Sequence, residues 1–144
     1  MHRCGGERIL EVFITKQPKE ANNPCLKPRL RMFYICADNV YASNYERTKT
    51  GIGRGSAGAM IIKPNQVGTI TGTKQTAFLA QTHGMKIVLS HRSGETQDDS
   101  IAHLAVAWNA LMIKTGVKGG ERLAKLNELI RIEQNFEKAR LIQW

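Results

Sequence analysis

Ala59-Met60-Ile61-Ile62-Lys63 is a run of four apolar residues that stops on a lysine, and the same arrangement recurs on either side of it. Upstream, Tyr34-Ile35-Cys36-Ala37 runs into Asp38. Downstream, Ile87-Val88-Leu89-Ser90 runs into His91-Arg92-Ser93, and Leu111-Met112-Ile113 runs into Lys114. Each of these short apolar runs reads as a strand. Lys63 follows Asp38 by 25 residues, His91 follows Lys63 by 28, and Lys114 follows His91 by 23. Each interval is close to one unit of strand, loop, helix and loop. Parallel neighbouring strands put their C-terminal ends on one rim, where α/β barrels carry their sites. The expected fold is therefore α/β, a partial TIM-like β/α barrel of four to five strand-helix units. A complete barrel takes roughly 250 residues, and this chain has 144, so about half a barrel is expected.

A fifth apolar run, Ile9-Leu10-Glu11-Val12-Phe13-Ile14, precedes the other four. Pro18, Pro24, Pro28 and Asn22-Asn23 break whatever follows it. Residues 1–31 are thus expected to form a weakly defined strand and an irregular loop, and residues 32–144 the half-barrel. Between the strands, Ser43-Asn44-Tyr45-Glu46 has the form of a capping box and predicts a helix start. The glycines at 51, 53, 55 and 58 predict that this helix is short. They also spell G-x-G-x-x-G from Gly53 to Gly58, but a dinucleotide fingerprint follows a strand and opens a helix, whereas this one precedes a strand.

A second helix is expected near Thr73–His83, closed by Gly84, with His83 in its last turn. Thr96-Gln97-Asp98-Asp99 predicts a third start, with Ile101, Leu104, Ala105 and Trp108 on one face. Asp98 and Asp99 then serve the helix end, and His103 is a surface or packing residue. The last helix begins near Gly119-Gly120-Glu121 and carries Leu123, Leu126, Leu129, Ile130 and Ile132. It is expected to pack on the outside and to carry no chemistry.

Composition narrows the partners. Lys and Arg number 21 against 12 Asp and Glu, a net charge of +9. The cations are scattered, with one modest cluster at Lys27, Arg29 and Arg31, and aromatic residues for base stacking are few. A small anion fits this pattern better than a nucleic acid. Cys4, Cys25 and Cys36 are odd in number and lack C-x-x-C spacing, as expected of free thiols in a reducing compartment. No apolar stretch approaches a membrane span and no signal-peptide core is present. The expected location is the cytoplasm, with no membrane partner.

Ile62-Lys63-Pro64-Asn65-Gln66-Val67-Gly68-Thr69, then Ser90-His91-Arg92-Ser93-Gly94-Glu95-Thr96, then Ile113-Lys114-Thr115-Gly116, then Glu121-Arg122-Leu123-Ala124-Lys125-Leu126-Asn127-Glu128-Leu129-Ile130-Arg131-Ile132-Glu133 resemble the C-terminal part of enolase, the glycolytic phosphopyruvate hydratase. The likeness covers roughly residues 33–135 in the family's order and spacing, and the Ser-His-Arg-Ser-Gly-Glu-Thr run is its most specific element. The resemblance implies a β/α barrel behind a smaller N-terminal domain, a homodimer of the complete protein, and Mg²⁺ as cofactor. It also implies reversible loss of water from 2-phosphoglycerate to give phosphoenolpyruvate. Carried over by position, Lys63 is the base for the C2 proton and Asp38 a metal ligand. Arg92 and Ser93 bind the phosphate, His91 is a substrate-site histidine, and Lys114 meets the substrate carboxylate.

The chemistry asks for these residue types. A proton beside a carboxylate is barely acidic, because its removal builds a dianion, so cations must gather on one side. A lysine serves as a base only where neighbouring cations favour its neutral form. Arginine suits phosphate because its planar fork meets two oxygens.

Three departures from the family pattern stand out. The family's general-acid glutamate has no counterpart here, and of the three carboxylates around the structural metal only Asp38 is matched. Glu11 falls near another, but its neighbours do not match and it is not counted in the site. Asn39 stands where the family usually has a second aspartate. A second functional class is therefore carried alongside the lyase: a non-catalytic remnant that binds phosphorylated acids or pairs with a partner barrel.

Overall fold

The computed structural model describes residues 10–15 and 32–135 of the chain. Five strands form one sheet in sequence order: β1 (Leu10–Thr15), β2 (Met32–Ala37), β3 (Ala59–Ile62), β4 (Lys86–Ser90) and β5 (Met112–Lys114). From β2 to β5 the strands are parallel. Helices fill the crossovers: α1 (Tyr45–Gly53), α2 (Pro64–Val67), α3 (Ile70–Thr82) and α4 (Ser100–Ala107), with α5 (Gly120–Asn135) after β5. This open sheet with its helices is a partial α/β barrel, as the spacing of the apolar runs predicts.

β1 differs from the other four runs. It pairs antiparallel to β2, Leu10 opposite Ala37 and Thr15 opposite Met32, so its N-terminal end, not its C-terminal end, reaches the rim. An antiparallel neighbour needs no helical crossover. Glu11 stands opposite Cys36 in this register. Cys4, Cys25, the prolines at 18, 24 and 28 and the basic cluster at 27–31 lie outside the described residues.

The period of two sorts the strand residues onto two faces. Ala37, Met60, Ile62, Ile87 and Leu89 face the helices and join Tyr41, Ala77, Ala80, Met85, Ile101 and Ala105 in the main core. Cys36, Ala59, Ile61 and Val88 form a second buried cluster on the opposite face, with Met112 against it. All four residues of β3 are buried, so this strand is buried on both sides. Ala102, Leu129 and Ile132 close a third cluster where α4 meets α5.

Two glycines of the expected helix breaker have separate reasons. A Cβ on Gly51 would overlap the Tyr41 ring, which is buried and shares a 2.7 Å hydrogen bond between its hydroxyl and Ser56 Oγ. Gly55 turns the chain at φ 57° between α1 and β3, so the G-x-G-x-x-G pattern spans a helix end and opens a strand.

The helix starts depart from the sequence reading by one to three residues. Asn44, not Ser43, caps α1, its side chain accepting from Arg47 N at 3.0 Å. α3 begins at Ile70 rather than Thr73 because Thr69 caps it by accepting from Gly72 N at 3.2 Å. His83 ends α3 and Gly84 follows at φ 77°, the expected C-terminal turn. α4 begins at Ser100 after Asp98, whose carboxylate accepts from Ser100 N at 2.9 Å, and the hydrogen bonds to Ser100 hold the Asp98 carboxyl below its ordinary range. On α5, Leu129 and Ile132 are buried, whereas Leu123 and Ile130 are exposed, so the apolar stripe is narrower than its leucines imply.

Candidate functional site

Two positions beyond the inner cluster, the strand ends turn polar. Asp38, Lys63, Ser90 and Lys114 follow Cys36, Ile61, Val88 and Met112 at that spacing, so they continue the same face of the sheet. The registers Ile62 with Leu89 and Ser90 with Lys114 set the last three at one level. The hydrogen bond from His91 N to the Lys114 carbonyl, 3.0 Å, extends the β4–β5 ladder by one step. It fixes where the His91-Arg92-Ser93 loop leaves the sheet.

The rim opens into a cavity of about 440 Å³ lined by Asn39, Lys63, Gln66, Ser90, His91, Arg92, Ser93, Lys114 and Arg122. Five of the six residues expected from the sequence line it: Lys63, His91, Arg92, Ser93 and Lys114. The sixth, Asp38, is buried behind Lys63, whose Nζ donates to both of its carboxylate oxygens at 2.7 Å. Four cations line the cavity, and no described carboxylate is among the lining residues. Such an arrangement suits a small anion.

Each wall has its own support. The loop after β2 turns through Ala42 and Ser43, both left-handed at φ 47° and 53°. That turn buries Ser43 Oγ between two elements: it accepts from Lys63 N at 2.9 Å and donates to Gln66 Oε1 at 2.7 Å. Ser43 thus clamps the end of β3, from which Lys63 projects. On the other wall, Glu95 accepts from Arg92 N at 3.3 Å and from Thr96 N at 3.2 Å. Lys125 of α5 is 1% exposed and donates from Nζ to the Thr96 carbonyl at 2.6 Å and the Glu121 carbonyl at 2.8 Å. One buried ammonium therefore ties the Ser90–Thr96 loop to the last helix.

His91 stands where the two walls meet. Its Nδ1 is buried and has no hydrogen-bond partner. Burial pushes its pKa below the ordinary 6.5, and Arg122, Lys114 and Lys125 push the same way against Glu95. His103 is half-exposed, lies 2.8 Å from Glu128 and takes no part in the cavity. The Cys36 thiol is buried within the sheet.

Asp38, the expected metal ligand, faces Lys63 in this structure. Both oxygens of Asp38 are taken by Lys63, and among the described residues no three His, Cys, Asp or Glu side chains come together. A magnesium ion asks for several oxygen ligands in near-octahedral order, and the described donor set does not fit it. The last helix also departs from expectation, since α5 supplies Arg122 to the cavity and Lys125 to the loop. The signal for this lies in the short Gly119-Gly120 approach, which starts α5 within a few residues of Lys114.

The family model described as "Enolase, C-terminal TIM barrel domain" matches residues 21–142. Curated relatives that the chain matches carry the name enolase, and three of them follow. That of Archaeoglobus fulgidus is 53% identical over 108 residues, covering 75% of this chain and 27% of the relative. That of Methanothermobacter thermautotrophicus is 55% identical over 107 residues, 74% of this chain and 26% of the relative. That of Picrophilus torridus is 57% identical over 102 residues, 71% and 26%. The chain spans about a quarter of the length of the curated relatives it matches. No described helix is long and apolar enough to cross a membrane.

Proposed function

The chain belongs to the family of enolase C-terminal TIM barrel domains, and on that premise we propose that it supplies the base and anion-binding half of a 2-phosphoglycerate dehydratase site. The single observation that carries the reading is the convergence of Lys63, His91, Arg92, Ser93 and Lys114 on one cavity at the rim. Arg92 and Ser93 take the phosphate, Arg92 through its two-pronged fork. Lys114, at the level of Lys63 across β4, takes the carboxylate, and His91, which lines the cavity, offers a further polar contact. Lys63 takes the C2 proton as a neutral amine, after its Nζ has turned from Asp38 and released a proton to solvent. Gathered cations stabilise the dianion that this proton loss creates.

Magnesium belongs to the family's chemistry and enters this proposal only with a completed site, in which further carboxylates stand beside Asp38. The activity of the whole lyase, its product phosphoenolpyruvate and its homodimer belong to that completed assembly as well.

A second reading has its own observation. With Lys63 Nζ committed to both Asp38 oxygens, the chain binds phosphorylated acids without removing a proton.

One experiment separates the two. 2-Phosphoglycerate deuterated at C2 is incubated with the chain and Mg²⁺, alone and with a segment that supplies the rest of an enolase. Loss of deuterium, abolished in Lys63→Ala, supports the lyase half-site. Saturable binding without exchange in either mixture supports the binding remnant. Absence of binding by the chain in both mixtures overturns both readings.

A further inference from the structure

α5 was expected to carry no chemistry, yet its first turn delivers a guanidinium to the cavity. Arg122 lies beside Lys63, Arg92 and Lys114 in the lining. Lys63 is paired with Asp38, and the guanidiniums of Arg92 and Arg122 give the space a positive lining that favours an anion within it. Among the described residues, Arg122 meets one carboxylate, that of its own neighbour Glu121, through Nε at 3.4 Å. That contact is too long to hold a guanidinium firmly, and it leaves both terminal nitrogens of the fork for another partner.

The side chain runs close to the backbone of the loop after β5. It passes over Gly116, where a Cβ would come within 2.9 Å of Arg122 Nη1 and 3.1 Å of its Cδ. Gly116 is left-handed at φ 74°, so the position excludes a side chain on conformational grounds as well as for space. The loop that carries Lys114 out of β5 thus opens a groove, and Arg122 lies in it. After burial, the charge of this guanidinium does most to lower the His91 pKa.

We propose that Arg122 is a further anion-binding residue of this site, gripping the oxyanions of a phosphorylated acid together with Arg92. The proposal rests on the reading of the cavity as a phosphorylated-acid site. It adds a contact from the last helix to those from the strand ends. Gly116 is its counterpart in the backbone, the residue whose missing side chain gives the guanidinium its way in.

The test is a titration of the full chain with inorganic phosphate and, separately, with 2-phosphoglycerate, in Arg122→Gln, Arg122→Lys, Arg92→Gln and Lys49→Gln. Lys49 is exposed on α1 and controls for loss of one charge outside the site. Arg122→Gln is expected to weaken both probes about tenfold, the scale of a lost charge-assisted pair, with Arg122→Lys between it and the parent and Lys49→Gln at the parent value. In the absence of any probe, the NMR titration midpoint of His91 rises in Arg122→Gln. Parent-like binding by Arg122→Gln with loss in Arg92→Gln overturns the proposal and leaves the site reading standing. Equal weakening by Lys49→Gln overturns the proposal in favour of diffuse charge. A parent chain that binds neither probe overturns the proposal and the site reading together.

Discussion

At the scale of single residues, the Lys63–Asp38 pair joins two rim side chains at 2.7 Å. Both side chains are mostly shielded, 13% and 7% exposed, so removing one partner strands a poorly solvated charge. Lys63→Met is expected to cost about 3 kcal/mol in urea denaturation, the low end for breaking a buried pair. Adding Asp38→Asn is expected to return most of that loss, because the double variant buries no uncompensated charge. Equal stability of the single and double variants would show that the loss comes from elsewhere.

His91 carries a pH dependence whose sign follows from its lowered pKa. Between the folded and unfolded values the unfolded chain binds more protons, so stability rises with pH there. The contribution is fully present above the unfolded value of about 6.5 and is lost as pH falls below it toward the folded value. Urea midpoints measured from pH 7.5 down to 5.5 are expected to fall, and His91→Gln to flatten that decline. The rim positions of Asp38, Lys63, His91, Arg92, Ser93 and Lys114 were legible because each follows an apolar run within three residues. Arg122 was not, because a cation in a helix's first turn has the same local pattern whether it meets solvent or a cavity.

At the scale of elements, the site depends on two ties that no strand pattern announces. Lys125 stands among the leucines of α5 and has the local pattern of a surface lysine, yet its ammonium is buried on two carbonyls of different segments. Lys125→Met keeps the length of the stem and removes the donors. It is expected to cost about 2 kcal/mol through the carbonyls left unpaired and to speed amide exchange from Thr96 to Ser100, the segment it anchors. A loss of stability with no change in that exchange would place its role in α5 alone.

Ser43 is the matching tie on the other wall. The S-x-x-E pattern pointed to a helix cap, and the cap fell to Asn44 because the chain turns through two left-handed residues just before it. That turn frees the serine hydroxyl for Lys63 N and Gln66. Ser43→Ala is expected to cost about 1–2 kcal/mol, measured by thermal unfolding, with Ser43→Thr closer to the parent. Helix existence was legible from periodicity and glycine stops. Which of two adjacent polar residues capped α1 was not, since that depends on a tertiary contact 20 residues away.

At the scale of the whole molecule, the sheet is open, and its two ends differ. The four parallel strands were legible from the length of their apolar runs and the interval between them, whereas the direction of β1 was not. An apolar run states that a strand is buried and leaves its direction to the connection. β5 is three residues long and stands at one end of the strand order, bonded to β4 on one side. Short edge strands resist pairing with other chains. A completed barrel must nevertheless add its next strand somewhere along such an edge.

The Ser90–Lys114 register ends the β4–β5 ladder at the rim, so a strand added at β5 would extend the wall that carries Lys114. Pro in place of Ile113 removes an N–H from that edge strand, and Pro is tolerated only where that donor is unused by the sheet. If assembly with the remaining enolase segment proceeds through β5, Ile113→Pro abolishes co-sedimentation of the two. The parent chain alone should sediment with a concentration-dependent mass, since its sheet has ends to satisfy. A mass that stays monomeric at every concentration, with assembly unaffected by Ile113→Pro, would move the join to the β1 edge, where the antiparallel register of Leu10–Thr15 would have to be displaced for the barrel to close.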